Sequence, residues 1–251
     1  MESGITGSYH GKAESQHREV LDRIQLISLS GKEELLKEYE ALARTVERKV
    51  ATRVLKRCLD IAGSLTLIVL LTPLWLIVGV CVRFSSPGPI LFRQKRVGFH
   101  GKLFDFLKFR SMRVNQQAFV NAEEVGKLQS EGLLFKKSAD PRVTGIGKFI
   151  RRTSIDELPQ LINVLLGEMS LIGPRPLVPF MLAPHPEFSR IRSLVRPGLT
   201  GLWQIRARRF NTRADYMVIH DIEYVRDFDI WLDLKILMRT LPSVIEGDGA
   251  H

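Results

Sequence analysis

The sequence contains very few cysteines, which excludes a disulfide scaffold and a cysteine-based metal site. Only Cys58 and Cys81 occur among the 251 residues, at the two edges of an apolar run. Neither has the spacing of a disulfide framework or a ligand cluster, so both are predicted to be small apolar side chains. Internal repeats and low-complexity tracts are also absent. The length allows one good core, which predicts a single catalytic domain with an appendage.

Acidic residues are also scarce relative to basic ones. The sequence has 27 Asp and Glu residues and 37 Lys and Arg residues, which gives a formal net charge of +10. This excess indicates an anionic partner, which is a nucleic acid, an acidic membrane surface or a phosphorylated substrate. Net charge alone does not distinguish these three classes.

Charge is missing altogether from residues 61–82, a run of 22 residues. As a helix this run extends about 33 Å, which matches the hydrocarbon core of a bilayer. It differs from a secretory signal peptide, because about sixty mostly polar residues precede it and no small-residue cleavage site follows it. We therefore predict a membrane element.

Two features of this element argue against a simple membrane span. Thr72 and Pro73 fall in its middle, where proline removes a backbone donor and a kink or break is expected. Both flanks are basic, with Arg48, Lys49, Arg53, Lys56 and Arg57 before the run and Arg83, Arg93, Lys95 and Arg96 after it. Under the positive-inside rule both ends then belong in the cytoplasm. A re-entrant helical hairpin satisfies both conditions, and one kinked transmembrane helix is the alternative.

The chain divides into four predicted regions. Residues 1–50 form an amphipathic helical extension with a packing or partner face, through which a homodimer is one expected arrangement. Residues 51–83 are the re-entrant membrane helix, residues 84–245 are the catalytic domain, and residues 246–251 are a polar tail.

The predicted fold class is α+β and mainly helical. A re-entrant membrane helical hairpin precedes a small cytoplasmic catalytic domain with a few short strands, two of them at residues 90–92 and 103–107. Residues 212–245 show helical apolar stripes. These stripes predict either a helix packed on the core or an interfacial helix lying on the bilayer.

Residues 83–113 combine positive charge with aromatic side chains. Eight Lys or Arg residues and one acidic residue occur there, interleaved with six phenylalanines. Such a mixture suits single-stranded nucleic acid, and it also suits an anionic membrane surface. Because the segment directly follows the membrane element, we predict contact with the membrane and no nucleic-acid partner.

Asp156 and Glu157 are adjacent carboxylates in the segment Arg151-Arg152-Thr153-Ser154-Ile155-Asp156-Glu157-Leu158-Pro159-Gln160. One interpretation is structural: Ser154 and Glu157 fit a capping box at a helix N-terminus, and spacing alone favours it. Pro159 disfavours that interpretation, because it lies near the end of the first turn. The other interpretation is a catalytic pair.

The charges around the pair favour catalysis. The arginines lower the pKa of both carboxyl groups and each carboxylate raises the pKa of its neighbour, and such opposed influences are typical of catalytic pairs. An ionised carboxylate can attack a phosphate anhydride while arginines hold the phosphate oxygens. A divalent cation is needed for the charge that develops. The pattern predicts an enzyme that acts on phosphate esters.

Eight short segments extend this pattern from about Lys56 to Thr240. They are Arg57-Cys58-Leu59-Asp60, Ser86-Pro87-Gly88-Pro89, Phe92-Arg93-Gln94-Lys95-Arg96-Val97-Gly98, Lys108-Phe109-Arg110-Ser111-Met112, Asp140-Pro141-Arg142-Val143-Thr144, Asp156-Glu157-Leu158-Pro159-Gln160, Gly173-Pro174-Arg175-Pro176 and Arg196-Pro197-Gly198-Leu199-Thr200-Gly201. In this order they resemble the bacterial sugar transferases, also called polyprenyl-phosphate hexose-1-phosphate transferases or monotopic phosphoglycosyl transferases.

The resemblance implies a reaction and a location. Members of this family move a sugar-1-phosphate from a UDP-sugar onto undecaprenyl phosphate and release UMP, in a two-step exchange that initiates assembly of a lipid-linked glycan. It implies that the protein lies in the bacterial inner membrane with its catalytic domain on the cytoplasmic face. It also implies Mg²⁺ beside the carboxylate pair.

The resemblance further implies roles for individual residues. Asp156 would be the nucleophile that forms a phosphosugar intermediate, and Glu157 would assist as a metal or proton partner. The implied metal ligands are the same two carboxylates. Thr72-Pro73 matches the kink that makes the membrane helix re-entrant. The residues that match phosphate- or nucleotide-binding positions are Lys108, Arg151, Arg175 and Arg208.

The sequence departs from the family after Gly201-Leu202-Trp203-Gln204, where it reads Ile205-Arg206-Ala207-Arg208-Arg209. A glycine and an asparagine are lost and two arginines are gained, which changes the expected shape of this loop. A noncatalytic membrane scaffold of a glycan-assembly complex is the alternative function. A membrane-tethered nucleic-acid-binding protein would explain the charge but not the carboxylate pair.

Overall fold

The computed structural model describes residues 31–113, 140–183, 186–206 and 214–245. Helices dominate these ranges, and two small two-stranded sheets complete them. The prediction of a mainly helical protein with a few short strands is therefore confirmed.

Helix α1 (Gly31–Arg48) packs against the body of the chain. Its Leu42 and Val46 are buried in the main core, where Tyr224 and Phe228 also lie. The apolar side of α1 is thus occupied within the same chain. The rest of the predicted N-terminal extension and the polar tail lie outside the described residues, and the homodimer stays a prediction.

Helix α2 (Val50–Ser85) follows immediately and is 36 residues long. Of the helices in the described ranges, it alone is long and apolar enough to cross a membrane. Pro73 lies inside it, and the Thr72 hydroxyl donates to the Ile68 carbonyl at 2.7 Å. Many of its apolar side chains are exposed, including Val69, Leu70, Leu76 and Ile77 around the middle and Phe84 near the end. Such a continuous apolar surface is typical of contact with lipid or another apolar partner.

Both ends of α2 contact the rest of the protein. Lys56 and Asp60 are buried near its beginning, and Val78 and Val82 are buried near its end, where they pack with Phe109. The stretch between them, residues 65–77, has no buried side chain. The middle of α2 is therefore less covered by the rest of the chain than its two ends are.

Strands β1 (Leu91–Val97) and β2 (Leu103–Phe109) form an antiparallel hairpin, with a 3₁₀ turn at Phe99–Gly101 between them. This confirms the two predicted strands, and both are longer than predicted. Because side chains alternate along a strand, Phe104, Phe106 and Lys108 share one face of β2. Phe104 and Phe106 enter the core on that face. The same face therefore carries Lys108 over the region where the carboxylates lie.

Strands β3 (Ser170–Ile172) and β4 (Gly198–Thr200) form a parallel pair, with Ser170 opposite Gly198. A side chain at Gly198 would collide with the backbone nitrogen of Gly173, so this close approach requires glycine. Our sequence analysis did not predict this pair. It brings the Pro-Arg-Pro segment that follows β3 next to the Arg-Pro-Gly segment that leads into β4.

The described ranges contain seven further helices. They are α3 (Gly145–Arg152), α4 (Gln160–Leu166), α5 (Pro179–Leu182), α6 (Pro186–Arg192), α7 (Leu202–Arg206), α8 (Ala214–Arg226) and α9 (Ile230–Ile245).

The last two helices fit parts of both alternatives considered for residues 212–245. Tyr224 and Ile236 are buried in the main core. Trp231 and Met238, by contrast, are each 69% exposed on α9. Helix α9 therefore packs on the core with one side and presents apolar side chains on the other.

Candidate active site

A tight turn between α3 and α4 carries the two carboxylates. Helix α3 ends at Arg152, and Ser154 then adopts a left-handed conformation with φ 56°. Asp156 and Glu157 follow in a 3₁₀ turn, Ile155–Glu157. Pro159 immediately precedes α4, where its missing N–H removes no helical hydrogen bond.

The capping-box interpretation of this turn is wrong. The Ser154 side chain makes no capping hydrogen bond. The left-handed backbone at Ser154 differs from the extended conformation that an N-cap residue normally adopts. The Glu157 carboxylate instead points to two cations from distant parts of the chain.

Glu157 is held by Lys108 from β2 and by Arg175 from the segment after β3. Lys108 Nζ and Arg175 Nη2 lie 2.7 and 2.8 Å from the same oxygen, Glu157 Oε1. Burial opposes the charge of Glu157, but Arg175 and Lys108 outweigh it and hold the pKa of this carboxyl well below its usual range. Glu157 is therefore ionised at neutral pH.

Asp156 occupies a different environment one residue earlier. It is only 6% exposed, and its Oδ2 lies 3.5 Å from Lys108 Nζ. Burial, reinforced by the charge of Glu157, raises the pKa of Asp156 above its usual value, while Lys108 and Arg151 act in the opposite direction. The two adjacent carboxyl groups thus have pKa values shifted in opposite directions, as is typical of catalytic pairs.

The backbone around Arg175 is fixed by neighbouring residues. Arg192 Nη2 donates to the Arg175 carbonyl at 2.6 Å, and Arg192 is itself paired with Asp221 at 2.7 Å. Pro174 accepts a hydrogen bond from the Gly198 amide at 2.9 Å. Arg175 therefore projects toward Glu157 from an anchored loop.

Arg96 is a site residue that our sequence analysis did not single out. Its guanidinium lies over the Phe106 ring, 5.1 Å from the centroid, and Nη1 donates to the Pro176 carbonyl at 3.2 Å. Burial and the charge of Arg175 lower the pKa of Arg96 to about 10, and Glu157 partly opposes this. The signal was present in the Phe-Arg-Gln-Lys-Arg segment, but spacing alone does not say which of its three basic residues turns inward.

The structure thus brings four predicted site residues together, namely Asp156, Glu157, Lys108 and Arg175. Arg151 lies near enough to influence the charge of Asp156, although no hydrogen bond joins it to either carboxylate. The predicted Arg208 lies outside the described residues. Thr72 and Pro73 lie within α2, and their role as a membrane kink stays a prediction.

The segment that departs from the family pattern, residues 205–209, is described by the structure as far as Arg206. Arg206 donates through Nη1 to both oxygens of Glu223 at 2.7 Å, on an exposed side of α8. This arginine is therefore committed to a surface ion pair and not to the carboxylate site.

The two carboxylates fit Mg²⁺ in the manner in which proteins usually bind it. Within the described residues no cluster of three or more potential metal-binding side chains occurs. Both cations bind Glu157 through Oε1. This leaves Oε2 and the Asp156 carboxylate as anionic donors. Mg²⁺ commonly takes one or two carboxylates and completes its shell with water and substrate phosphates.

These features together define a class. Two adjacent carboxyl groups have pKa values shifted in opposite directions and lie beside Lys108 and Arg175, in a chain with a long apolar helix. This combination favours a membrane-associated enzyme that acts on phosphate groups. The chain belongs to the bacterial sugar transferase family, whose family model matches residues 51–247. The predicted resemblance is thereby confirmed.

Individual relatives support this assignment. Galactosyl transferase CpsE of Streptococcus agalactiae serotype III (strain NEM316) is 42% identical over 208 residues, covering 80% of this chain and 44% of the relative. Undecaprenyl-phosphate galactose phosphotransferase of Salmonella typhimurium (strain LT2) is 40% identical, covering 81% and 43%. UDP-glucose:undecaprenyl-phosphate glucose-1-phosphate transferase of Caulobacter vibrioides is 39% identical, covering 81% and 74%. The chain therefore spans less than half the length of the first two relatives.

Proposed function

We propose that this chain transfers a sugar-1-phosphate from a UDP-sugar to undecaprenyl phosphate, giving undecaprenyl-diphosphate-sugar and UMP. The observation that most strongly supports this proposal is the environment of Asp156. It is buried and close to Lys108, and it lies beside Glu157, which two cations keep ionised. The names of the Salmonella and Caulobacter relatives support the lipid acceptor, and the Caulobacter name also supports a UDP-sugar donor. A further relative is named an exopolysaccharide production protein, which supports initiation of polysaccharide synthesis.

The first proposed step is nucleophilic. A carboxylate oxygen of Asp156 attacks the phosphorus that bears the sugar, the bond from this phosphorus to the bridging oxygen breaks, and UMP leaves with that oxygen. Burial strips water from the carboxylate, which favours attack once the group is ionised. The product is a phosphosugar joined to Asp156 as an acyl phosphate.

The second step regenerates the carboxylate. A phosphate oxygen of undecaprenyl phosphate attacks the same phosphorus, the bond to Asp156 breaks, and the sugar diphosphate leaves on the lipid. Splitting the exchange in this way allows both substrates to use one nucleophile in turn.

The surrounding cations would stabilise the phosphoryl charge in both steps. Lys108 and Arg175 already point at the carboxylate pair, and Arg96 and Arg151 lie close by. We expect the phosphate oxygens to share these cations when substrate is bound. Mg²⁺, held by Asp156 and Glu157, would supply Lewis-acid neutralisation of the diphosphate.

We also propose that α2 is re-entrant and that the domain lies on the cytoplasmic face of the bacterial inner membrane. In a straight helix Asp60 and Val82 would be about 33 Å apart, which is one bilayer core. Yet Asp60 bonds to β3, and Val82 packs with Phe109 of the same domain. Pro73, midway between them, leaves the Val69 carbonyl without its helical donor and so permits a bend. The basic residues at both ends support the cytoplasmic side.

Cysteine labelling tests this topology. With Cys58 and Cys81 changed to serine, single cysteines at the exposed positions Arg53 and Arg83 report on the two ends of α2. A membrane-impermeant maleimide added to inverted inner-membrane vesicles is expected to label both positions. The same reagent added to spheroplasts is expected to label neither. Labelling of one position from each side would mean that α2 crosses the membrane.

Turnover tests the proposed activity. Purified protein in lipid nanodiscs with Mg²⁺ and undecaprenyl phosphate is expected to release UMP from at least one member of a panel of UDP-sugars. Omission of undecaprenyl phosphate should limit release to about one UMP per protein, because the intermediate cannot be discharged. If no UDP-sugar releases UMP, the scaffold alternative is favoured.

A further inference from the structure

The membrane helix α2 carries a buried polar stripe along one side. Lys56, Asp60 and Ser64 are spaced by four residues, and all three are buried in a helix whose other side is apolar. Ionisable residues in a membrane-associated helix are costly, and they persist where they face protein partners. The partners of this stripe show what it does.

Asp60 binds the backbone of β3 on the side that β4 does not pair. Its Oδ1 accepts from the Leu171 amide at 2.8 Å and from the Ser170 hydroxyl at 2.9 Å. Strand β4 instead pairs with the alternate residues of β3, Ser170 and Ile172. Asp60 therefore supplies an acceptor to an amide that would otherwise lack one.

Lys56 binds the end of the same strand. Its Nζ donates to the Ile172 carbonyl at 2.8 Å and to Asp233 Oδ2 at 2.6 Å. Tyr224 completes the cluster, because its hydroxyl lies 2.7 Å from Asp233 Oδ1 and 3.2 Å from the Ile172 carbonyl. These bonds fix Ile172 between the membrane helix and the C-terminal helices.

Only two residues separate this anchored carbonyl from a residue of the candidate site. Gly173 and Pro174 lead from Ile172 to Arg175, and both are buried. The Gly173 amide donates to the Thr200 carbonyl at 2.9 Å. A displacement of β3 would therefore be transmitted along a short, restrained segment to the guanidinium that contacts Glu157.

We propose that Lys56 and Asp60 are positioning residues: through β3 they hold Arg175 against Glu157, so that the seating of the membrane helix and the assembly of the active site are coupled. The inference rests on the proposed function for its kinetic consequence. It assigns to Lys56 and Asp60 a role in catalysis beyond anchoring the helix.

Asp60 variants separate positioning from stability. Asp60→Ala is expected to lower kcat by about ten- to a hundredfold with little change in KM for the UDP-sugar, because a misplacement of about 1 Å can have this effect. Asp60→Asn keeps the oxygen that accepts both hydrogen bonds, so it should retain most of the activity. Ser64→Ala is the matched control, since the Ser64 hydroxyl donates to the Ile61 carbonyl of its own helix.

A double-mutant cycle with Arg175→Ala tests the route. If Asp60 acts through Arg175, Asp60→Ala should cause little further loss in kcat in the Arg175→Ala background. Equal fractional losses in both backgrounds, or no rescue by Asp60→Asn, would overturn the inference. Ser170→Ala, which removes one donor to Asp60 without changing charge, should show a smaller loss with the same dependence on Arg175. If Asp60→Ala does not fold, Ser170→Ala takes its place in the double-mutant cycle.

Hydrogen exchange gives a readout that does not depend on turnover. The amides of residues 171–173 and of Arg175 are expected to exchange faster in Asp60→Ala than in wild type, and at the wild-type rate in Asp60→Asn. Faster exchange in a protein that releases no UMP would contradict the proposed function and support the structural coupling. Unchanged exchange in Asp60→Ala would contradict the coupling even if the enzyme is active.

Discussion

Asp156→Asn is expected to abolish sugar-phosphate transfer, with a loss of at least about a thousandfold in kcat. The amide cannot act as the nucleophile, although it has nearly the same shape as the carboxylate. Intact mass spectrometry gives a direct measurement. Wild-type protein incubated with UDP-sugar and Mg²⁺, but without lipid acceptor, should gain the mass of the phosphosugar. The variant should gain none.

Stability and a matched control make this result interpretable. Because burial raises the pKa of Asp156, ionisation of this group disfavours the folded state at neutral pH. Asp156→Asn should therefore melt at the wild-type temperature or above it. Asp105→Asn makes the same chemical change at a half-exposed position paired with Lys95, and it should keep wild-type activity. A mass gain in the Asp156 variant would refute the assignment of the nucleophile.

Arg175→Ala is expected to lower kcat/KM for the UDP-sugar by about a hundred- to a thousandfold, as is typical when one preorganised charge partner is lost. Without Arg175 only Lys108 remains at Glu157 Oε1. The pKa of Glu157 should then rise, because Arg175 is the strongest influence that lowers it. Steady-state kinetics measured over a pH series would detect both effects.

Two further variants sharpen the Arg175 prediction. Arg175→Lys keeps the positive charge but loses the planar fork, so an intermediate rate is expected. Arg190→Ala removes an exposed arginine from α6, close in sequence to Arg192, and should leave the rate unchanged. If Arg175→Ala retained the wild-type kcat/KM, Arg175 would have no part in the reaction.

Local patterns predicted the local parts of this structure. Strands were predicted at residues 90–92 and 103–107, and both predictions fall in the β1–β2 hairpin, whose two strands are close together in the sequence. The apolar run predicted α2 for a similar reason. The pair β3–β4 was missed, because its strands have three residues each and lie more than twenty residues apart.

In the candidate site, too, the features that depend on neighbouring residues were predicted and those that depend on tertiary packing were not. Adjacency placed Asp156 and Glu157 together, but the same spacing also favoured a capping box. What excludes the cap is the left-handed backbone of Ser154 and the approach of two cations, Lys108 from β2 and Arg175 from the segment after β3. Only the family resemblance had indicated these two residues. Arg96 and the Lys56–Asp233 pair were missed because tertiary packing alone decides which charged side chains become buried.

The attachment of both ends of α2 to one domain has a consequence for how the protein would meet its proposed lipid acceptor. The proposed re-entrant helix, which enters and leaves through the same face, would fix the height of the carboxylate pair relative to that face. The proposed lipid acceptor would then reach the site by diffusing sideways within one leaflet. Reaction velocity should accordingly follow the number of carrier molecules per unit area of that leaflet, and diluting the membranes in a larger volume of buffer should leave it unchanged.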